Sequence, residues 1–326
     1  MRRQLLSTRK IWLTISLFST FAASQSKRGL GDTGGTQTSD DNLLLSANSP
    51  ISWYFTWSLY TSQYFNDSIS FVPLIHGLDD ASSDDLATNL DSLPVSSTHL
   101  LTFNEPDGTT GSGGSSISPK DAAQSYIDNV VPLRSGDGRT WNISHPVVTG
   151  SSQGLDWLTS FNESCWDIDS ENGCPADFVA VHWYGDFAGL SWWLDQISDF
   201  YNPSSTTTGL KLWITEMAIP KKDEDDTISM LNQSITYLDG LDDVEGYAWF
   251  GAFRADKAND WTGDNVSLFD DDGGLTELGA LYLGGKDNGF EKGMKGEGND
   301  SAAVSNAVSM WAVGVAGLAA LVVGMW

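Results

Sequence analysis

The chain has 326 residues, with 43 acidic and 17 basic side chains and a formal charge of −26. That balance excludes a basic nucleic-acid-binding surface, because nothing in it would release phosphate counterions. Hydrophobic residues make up 40% and charged residues 18%, enough apolar material for a core and too little charge for a disordered acidic tail. The 14 tryptophans suit either stacking on sugar rings or a Trp-heavy core.

In chain order, Arg2, Arg3, Arg9 and Lys10 precede an apolar run over 11–23 that ends in Ala22-Ala23-Ser24. This is the order of a secretory signal peptide, expected over 1–24, and the run is short for a membrane span. Lys27-Arg28 follows, readable as a dibasic processing site or as a chance basic pair. Residues 25–290 have the usual size of one (β/α)8 TIM barrel. Apolar runs over 51–57, 70–75, 98–103, 144–149, 177–184, 210–218 and 244–251 alternate with polar stretches long enough for helices, such as 83–93 and 119–131. Ser118-Pro119 is an N-cap followed by proline at the first helical position. Such alternation predicts a parallel α/β sheet buried on both faces. The seven runs need an eighth, and Arg28-Gly29-Leu30-Gly31 is the candidate first strand; an open doubly wound sheet is the alternative.

Cys165 and Cys174, the only cysteines, are expected to pair if the chain is exported. Six N-glycosylation sequons start at Asn66, Asn142, Asn162, Asn232, Asn265 and Asn299. The acidic runs 223–226 and 270–272 read as solvated loops, and neither suggests a metal. No metal or cofactor is expected. Residues 291–306 read as a polar linker, and 307–326 form an apolar tail without charge. Small residues over 298–303, a spacer and that tail fit a GPI-attachment signal with Asn299 as the attachment residue; a single-pass span is the alternative.

Two carboxylates carry the chemistry. Leu100-Leu101-Thr102-Phe103-Asn104-Glu105 and Leu212-Trp213-Ile214-Thr215-Glu216 each place a Glu at the carboxyl end of an apolar strand. Barrel active sites lie at those ends, and a Glu in an apolar strand is costly unless partnered or functional. On the fourth and seventh strands of a closed barrel the pair would face each other across the mouth. About 5 Å between them is the separation for retaining glycoside hydrolysis. His182 and Tyr184 share a strand face by the period of two and can point into the same mouth. Trp53, Tyr54, Trp57, Trp183 and Trp249 lie near strand ends as stacking platforms or core residues.

Read together, Ile51-Ser52-Trp53-Tyr54-Phe55-Thr56-Trp57, Phe71-Val72-Pro73-Leu74, Phe103-Asn104-Glu105-Pro106-Asp107, Val181-His182-Trp183-Tyr184-Gly185, Trp213-Ile214-Thr215-Glu216 and Tyr247-Ala248-Trp249-Phe250-Gly251-Ala252 resemble glycoside hydrolase family 128 in order. These are clan A barrels acting on β-1,3-glucan. The resemblance implies Glu105 as acid/base and Glu216 as nucleophile. Asn104 is placed to bind the sugar 2-hydroxyl. The family commonly has Trp where His76 stands and Phe where Met217 stands, and the loop 108–116 is long; all three bear on subsites. The expectation is a monomeric, GPI-anchored, cell-wall-facing endo-β-1,3-glucanase. A β-1,3-glucan transglycosylase and a non-catalytic glucan-binding wall protein are the alternatives.

Overall fold

The computed structural model describes residues 26–65, 68–135, 138–201 and 209–298. The expected signal peptide, the tail over 307–326, and Asn66 and Asn299 lie outside them. The strands are β1 (Arg28–Gly31), β2 (Trp53–Phe55), β3 (Ser70–Phe71), β4 (Leu74–Ile75), β5 (His99–Asn104), β6 (Asn142–Val147), β7 (Phe178–Tyr184), β8 (Lys211–Ala218) and β9 (Val244–Trp249). The α-helices are α1 (Thr38–Leu44), α2 (Leu78–Ala81), α3 (Leu86–Asp91), α4 (Pro119–Ser125), α5 (Ser152–Ile168), α6 (Phe187–Tyr201), α7 (Glu224–Gly240) and α8 (Glu277–Tyr282).

All strands pair in parallel in the order β3-β2-β1-β9-β8-β7-β6-β5-β4. The two ends of that order are consecutive in sequence, split at Val72-Pro73. Proline has no amide hydrogen and cannot continue a ladder. The first half bonds one way: the Ser70 and Val72 amides donate to Ser52 and Tyr54. The second half bonds the other way, its Pro73 and His76 carbonyls accepting from Leu101 and Asn104. β3 and β4 are thus two halves of one barrel strand, and the sheet is a closed (β/α)8 ring, with the weak Arg28–Gly31 strand as its first member.

Trp53, Phe55, Val72, Leu74, Leu101, Val147, Phe178, Ala180, Trp213 and Ala248 fill the barrel interior. His99 packs on Phe178 and Trp213, with ring centroids 5.2 and 5.1 Å apart. The outer layer is uneven. The described residues of 56–69 form no helix, so helical alternation fails between β2 and β3. The expected helix over 83–93 shortens to α3. The one over 119–131 ends at Ser125 and continues as a π-helical turn over Tyr126–Val130. Pro132 has no amide to donate, so neither the α-helical nor the π-helical bond pattern can continue through it. Ser118 caps α4 as expected, accepting from the Asp121 amide.

The acidic runs are more than solvated loops. Asp223 caps α7 by accepting from Asp226, and Glu224, Asp225 and Asp226 occupy its first turn, where the helix dipole favours negative charge. Asp270 holds a turn by accepting from Asp272 and Gly274. Cys165 and Cys174 form a disulfide, Cα atoms 5.4 Å apart, that pins the end of α5 to the following loop. The Asn side chains of the described sequons, 142, 162, 232 and 265, are exposed.

Lys27 and Arg28 are part of the structure. The Lys27 ammonium donates to the carbonyls of Leu238, Asp239 and Leu241 at the end of α7. Arg28 reaches Tyr247, the Tyr282 carbonyl and Asp239.

Candidate active site

Irregularities in two strands aim the key side chains. On β5 the register against β6 shifts twice between Leu100 and Asn104, and Phe103 has φ +46°. Glu105 follows with φ +39°, its amide donating to the Val147 carbonyl at 2.7 Å. On β8 the register against β7 skips Thr215: Ile214 pairs with Val181, and Glu216 pairs with His182. Trp213 already points into the barrel, so strict alternation would turn Glu216 outward. The extra residue restores it to the interior. Trp57 also has positive φ, at +56°, so three of the five such non-glycine residues described lie at this mouth. Backbone strain of this kind concentrates at functional sites.

The result is a bridged pair of carboxylates. His182 Nδ1 lies 2.8 Å from Glu105 Oε1, and Nε2 lies 3.2 Å from Glu216 Oε1. Trp57 Nε1 donates to Glu216 Oε1 and the Tyr184 hydroxyl donates to Oε2, both at 2.6 Å. A Cβ on Gly31 would stand 2.6 Å from the Trp57 ring, so glycine is what lets that indole lie against β1. His182 and Glu216 are buried, while the Glu105 side chain keeps 14% of its exposure.

Burial pulls the His182 pKa down, but Glu216 and Glu105 on either side outweigh it and hold the imidazole above its ordinary value. Burial pushes the Glu216 carboxyl up, opposed by the His182 charge, raised further by Glu105, and opposed again by the Tyr184 and Trp57 donors; the net direction is up. Burial also drives the Tyr184 phenol well above its usual range, so it remains a donor. Among the described residues, Glu105, His182 and Glu216 are the group whose ligating atoms come close enough to share a cation, all within 4.8 Å. Both imidazole nitrogens already face a carboxylate, so the ring acts as a bridge between them.

The other expected residues divide. Asn104 is buried at the mouth, with Nδ2 donating to the Gly113 carbonyl at 3.0 Å and Oδ1 unpaired. The His76 ring touches the same carbonyl through Nε2 at 3.2 Å, so both residues fasten the loop 108–116. Trp183 alternates outward from His182 and Tyr184 and donates to the Asp186 carbonyl. Trp53, Tyr54 and Trp249 are not platforms. Trp53 belongs to the barrel filling, Tyr54 faces outward against Phe65 and Phe71, and Trp249 donates to the Val266 carbonyl inside the core. All three are buried, because near a strand end a large ring still fills the ring interior or the helix layer.

Sequence reasoning missed Trp261. It is 55% exposed, and its ring stands 4.6 Å from that of Tyr184 at 67°. Phe250 joins them, 5.9 Å from Tyr184 and 6.0 Å from Trp57. The available signal was a lone Trp in the polar stretch Asn259-Asp260-Trp261-Thr262-Gly263 after the last barrel strand, on the face where barrel sites are built.

Residues 29–282 match the family model described as glycosyl hydrolase catalytic core. The chain belongs to that family, within glycoside hydrolase family 128. Among curated relatives, Alkali-sensitive linkage protein 1 of Schizosaccharomyces pombe is 31% identical over 265 residues, covering 79% of this chain and 44% of that protein. The chain therefore spans less than half the length of that relative. Among solved structures, a family-128 subgroup IV endo-β-1,3-glucanase from Lentinula edodes is 25% identical, with TM-score 0.63 over 79% of this chain and 99% of that one. A subgroup VI exo-β-1,3-glucanase from Aureobasidium namibiae has the same fold, with 20% identity and TM-score 0.63 over 81% and 98% of the two chains.

Proposed function

We propose that the chain is a retaining endo-β-1,3-glucanase that works outside the cell. The observation that carries this reading is the pair Glu105 and Glu216, brought from β5 and β8 to within 4.8 Å of each other and of the His182 nitrogens between them. About 5–5.5 Å between carboxyl groups is the retaining geometry. In the first step a Glu216 oxygen bonds to the anomeric carbon as the glycosidic C–O bond breaks. Glu105 gives its proton to the departing oxygen. In the second step Glu105 takes a proton from water, whose oxygen displaces Glu216 from the anomeric carbon. Trp57, Tyr184 and His182 hold the Glu216 carboxylate in one orientation for attack. Trp261, exposed beside Tyr184, supplies a ring face for a glucose unit. The Cys165–Cys174 disulfide supports an oxidising compartment. A glycolipid anchor at Asn299 is part of the proposal and is tested by release from membranes with phosphatidylinositol-specific phospholipase.

Digestion of laminarihexaose by the purified protein, followed by proton NMR of fresh products, tests the activity. The expected result is internal cleavage with the β-anomer formed first. An initial α-anomer overturns retention, and glucose released alone from one end overturns the endo reading. Products longer than the substrate identify a transglycosylase. Binding without cleavage identifies a glucan-binding protein.

A further inference from the structure

The segment that replaces a helix between β2 and β3 leaves a concavity on the barrel flank. It encloses about 340 Å³ and is lined by Tyr54, Leu59, Tyr60, Phe65, Asn89 and Ser92, with Thr61, Leu93 and Pro94. That volume lies within the range of small-molecule sites. Tyr54 faces outward from β2 while Trp53 and Phe55 face inward, so the barrel wall separates this groove from Glu105 and Glu216. Tyr60 is 63% exposed. Tyr64, next to the lining residue Phe65, and Val95, next to Pro94, are also among the seven large apolar side chains left exposed in the described residues. Of these, Tyr60 lines the groove itself and gives it one exposed aromatic ring.

The lining chemistry selects the ligand. On a chain of net charge −26, none of the nine lining residues carries a formal charge. The exposed Tyr60 ring stands in a mostly polar lining with the Asn89 amide and the Thr61 hydroxyl, and the Ser92 hydroxyl donates to the Asn89 carbonyl at 2.7 Å, so the groove offers one aromatic face among hydrogen-bonding groups. That combination fits a neutral pyranose, apolar on its faces and hydroxylated at its rim, better than an ion or a charged peptide. We propose that this flank groove is a second, non-catalytic site for β-1,3-glucan, holding the protein on an insoluble polymer while the barrel mouth cleaves. It deepens the glucanase reading and rests on it.

The test uses Tyr60→Ala and Ser92→Arg, both at exposed positions, in the active protein and again in Glu216→Gln. Retention on insoluble β-1,3-glucan should fall about fivefold or more, as expected for loss of one aromatic contact. Turnover of soluble laminarihexaose should not change. Unchanged retention in both variants overturns the proposal. Loss of hexaose turnover along with retention also overturns it, because the groove would then belong to the catalytic cleft. If retention depends on Tyr60 only after Asn66→Gln empties the adjoining sequon, the native occupant is the protein's own N-glycan and the proposal falls. Retention by Glu216→Gln that needs Tyr60, from a parent that cleaves nothing, upholds the groove and overturns the glucanase reading separately.

Discussion

Glu216 accepts from two donors and faces His182 Nε2 at 3.2 Å in a buried setting, whereas Glu105 has one imidazole and partial access to solvent. That asymmetry suits a fixed nucleophile and an acid/base that must meet water. Glu216→Ala should lose at least about 10³-fold in glucan hydrolysis, and azide should restore turnover of an activated glucoside as an inverted glycosyl azide. Glu105→Ala should give the retained azide instead; gas chromatography or NMR of the azides decides, and swapped products would reverse the two roles. Elsewhere, Asp41 is buried with Oδ2 unpaired, its other oxygen accepting from Thr36 at 2.6 Å. Burial pushes its carboxyl up to about 6, the Thr36 bond opposes, and Asp32 and Asp40 add to the rise. Because the folded pKa is above the unfolded value, the native state keeps this proton where the unfolded chain has lost it. Asp41 therefore costs nothing below pH about 4, and the cost grows as pH rises to about 6. Asp41→Asn should raise stability by about 1–3 kcal/mol at pH 7 and by little at pH 4. Urea unfolding at the two pH values checks this, and an equal gain at both would point to a cause other than titration.

At the scale of elements, Lys27 caps α7 with three carbonyl contacts, and Arg28 opens β1. Lys27→Met should cost about 1–2 kcal/mol, from the loss of charge–carbonyl bonds and dipole stabilisation at a helix end. Cleavage after Arg28 would remove this cap and the first residue of β1. N-terminal sequencing of the folded protein should therefore find Lys27-Arg28 retained; a terminus at Gly29 on stable protein would contradict this. The strand count, the weak first strand and the strand-end position of both carboxylates were legible because parallel strands buried on both faces leave continuous apolar runs. The bulges that aim Glu105 and Glu216 were not legible. Thr215 looks like any strand residue, and nothing in Phe103 announces a left-handed backbone. The ring contacts of Tyr184 with Trp261 and Phe250 were hidden for a different reason, since they join β7 to loops 66 or more residues later that only closure brings near. Whether Trp249 and Trp53 were platforms or core residues stayed open in the sequence, because proximity to a strand end says nothing about which side of the wall a ring occupies.

For the whole molecule, closure leaves no free sheet edge and no half that keeps both its neighbours when the other is lost. Unfolding in urea should therefore be a single transition, with tryptophan fluorescence and far-ultraviolet circular dichroism superimposing. Separate midpoints would show that part of the ring stands alone. The placement of β1 between β2 and β9 also bears on synthesis. Arg28 and Tyr247, which meet across that seam, are 219 residues apart. As the ribosome works at about 5–20 residues per second, β1 emerges with one flank open and waits roughly 10–45 s for its second neighbour. Until then the N-terminal four-residue strand and its apolar flank are exposed to whatever else the compartment contains. A nascent chain of this kind is a client for holding factors during that interval, and its passage to the native state is gated by the last strand to arrive.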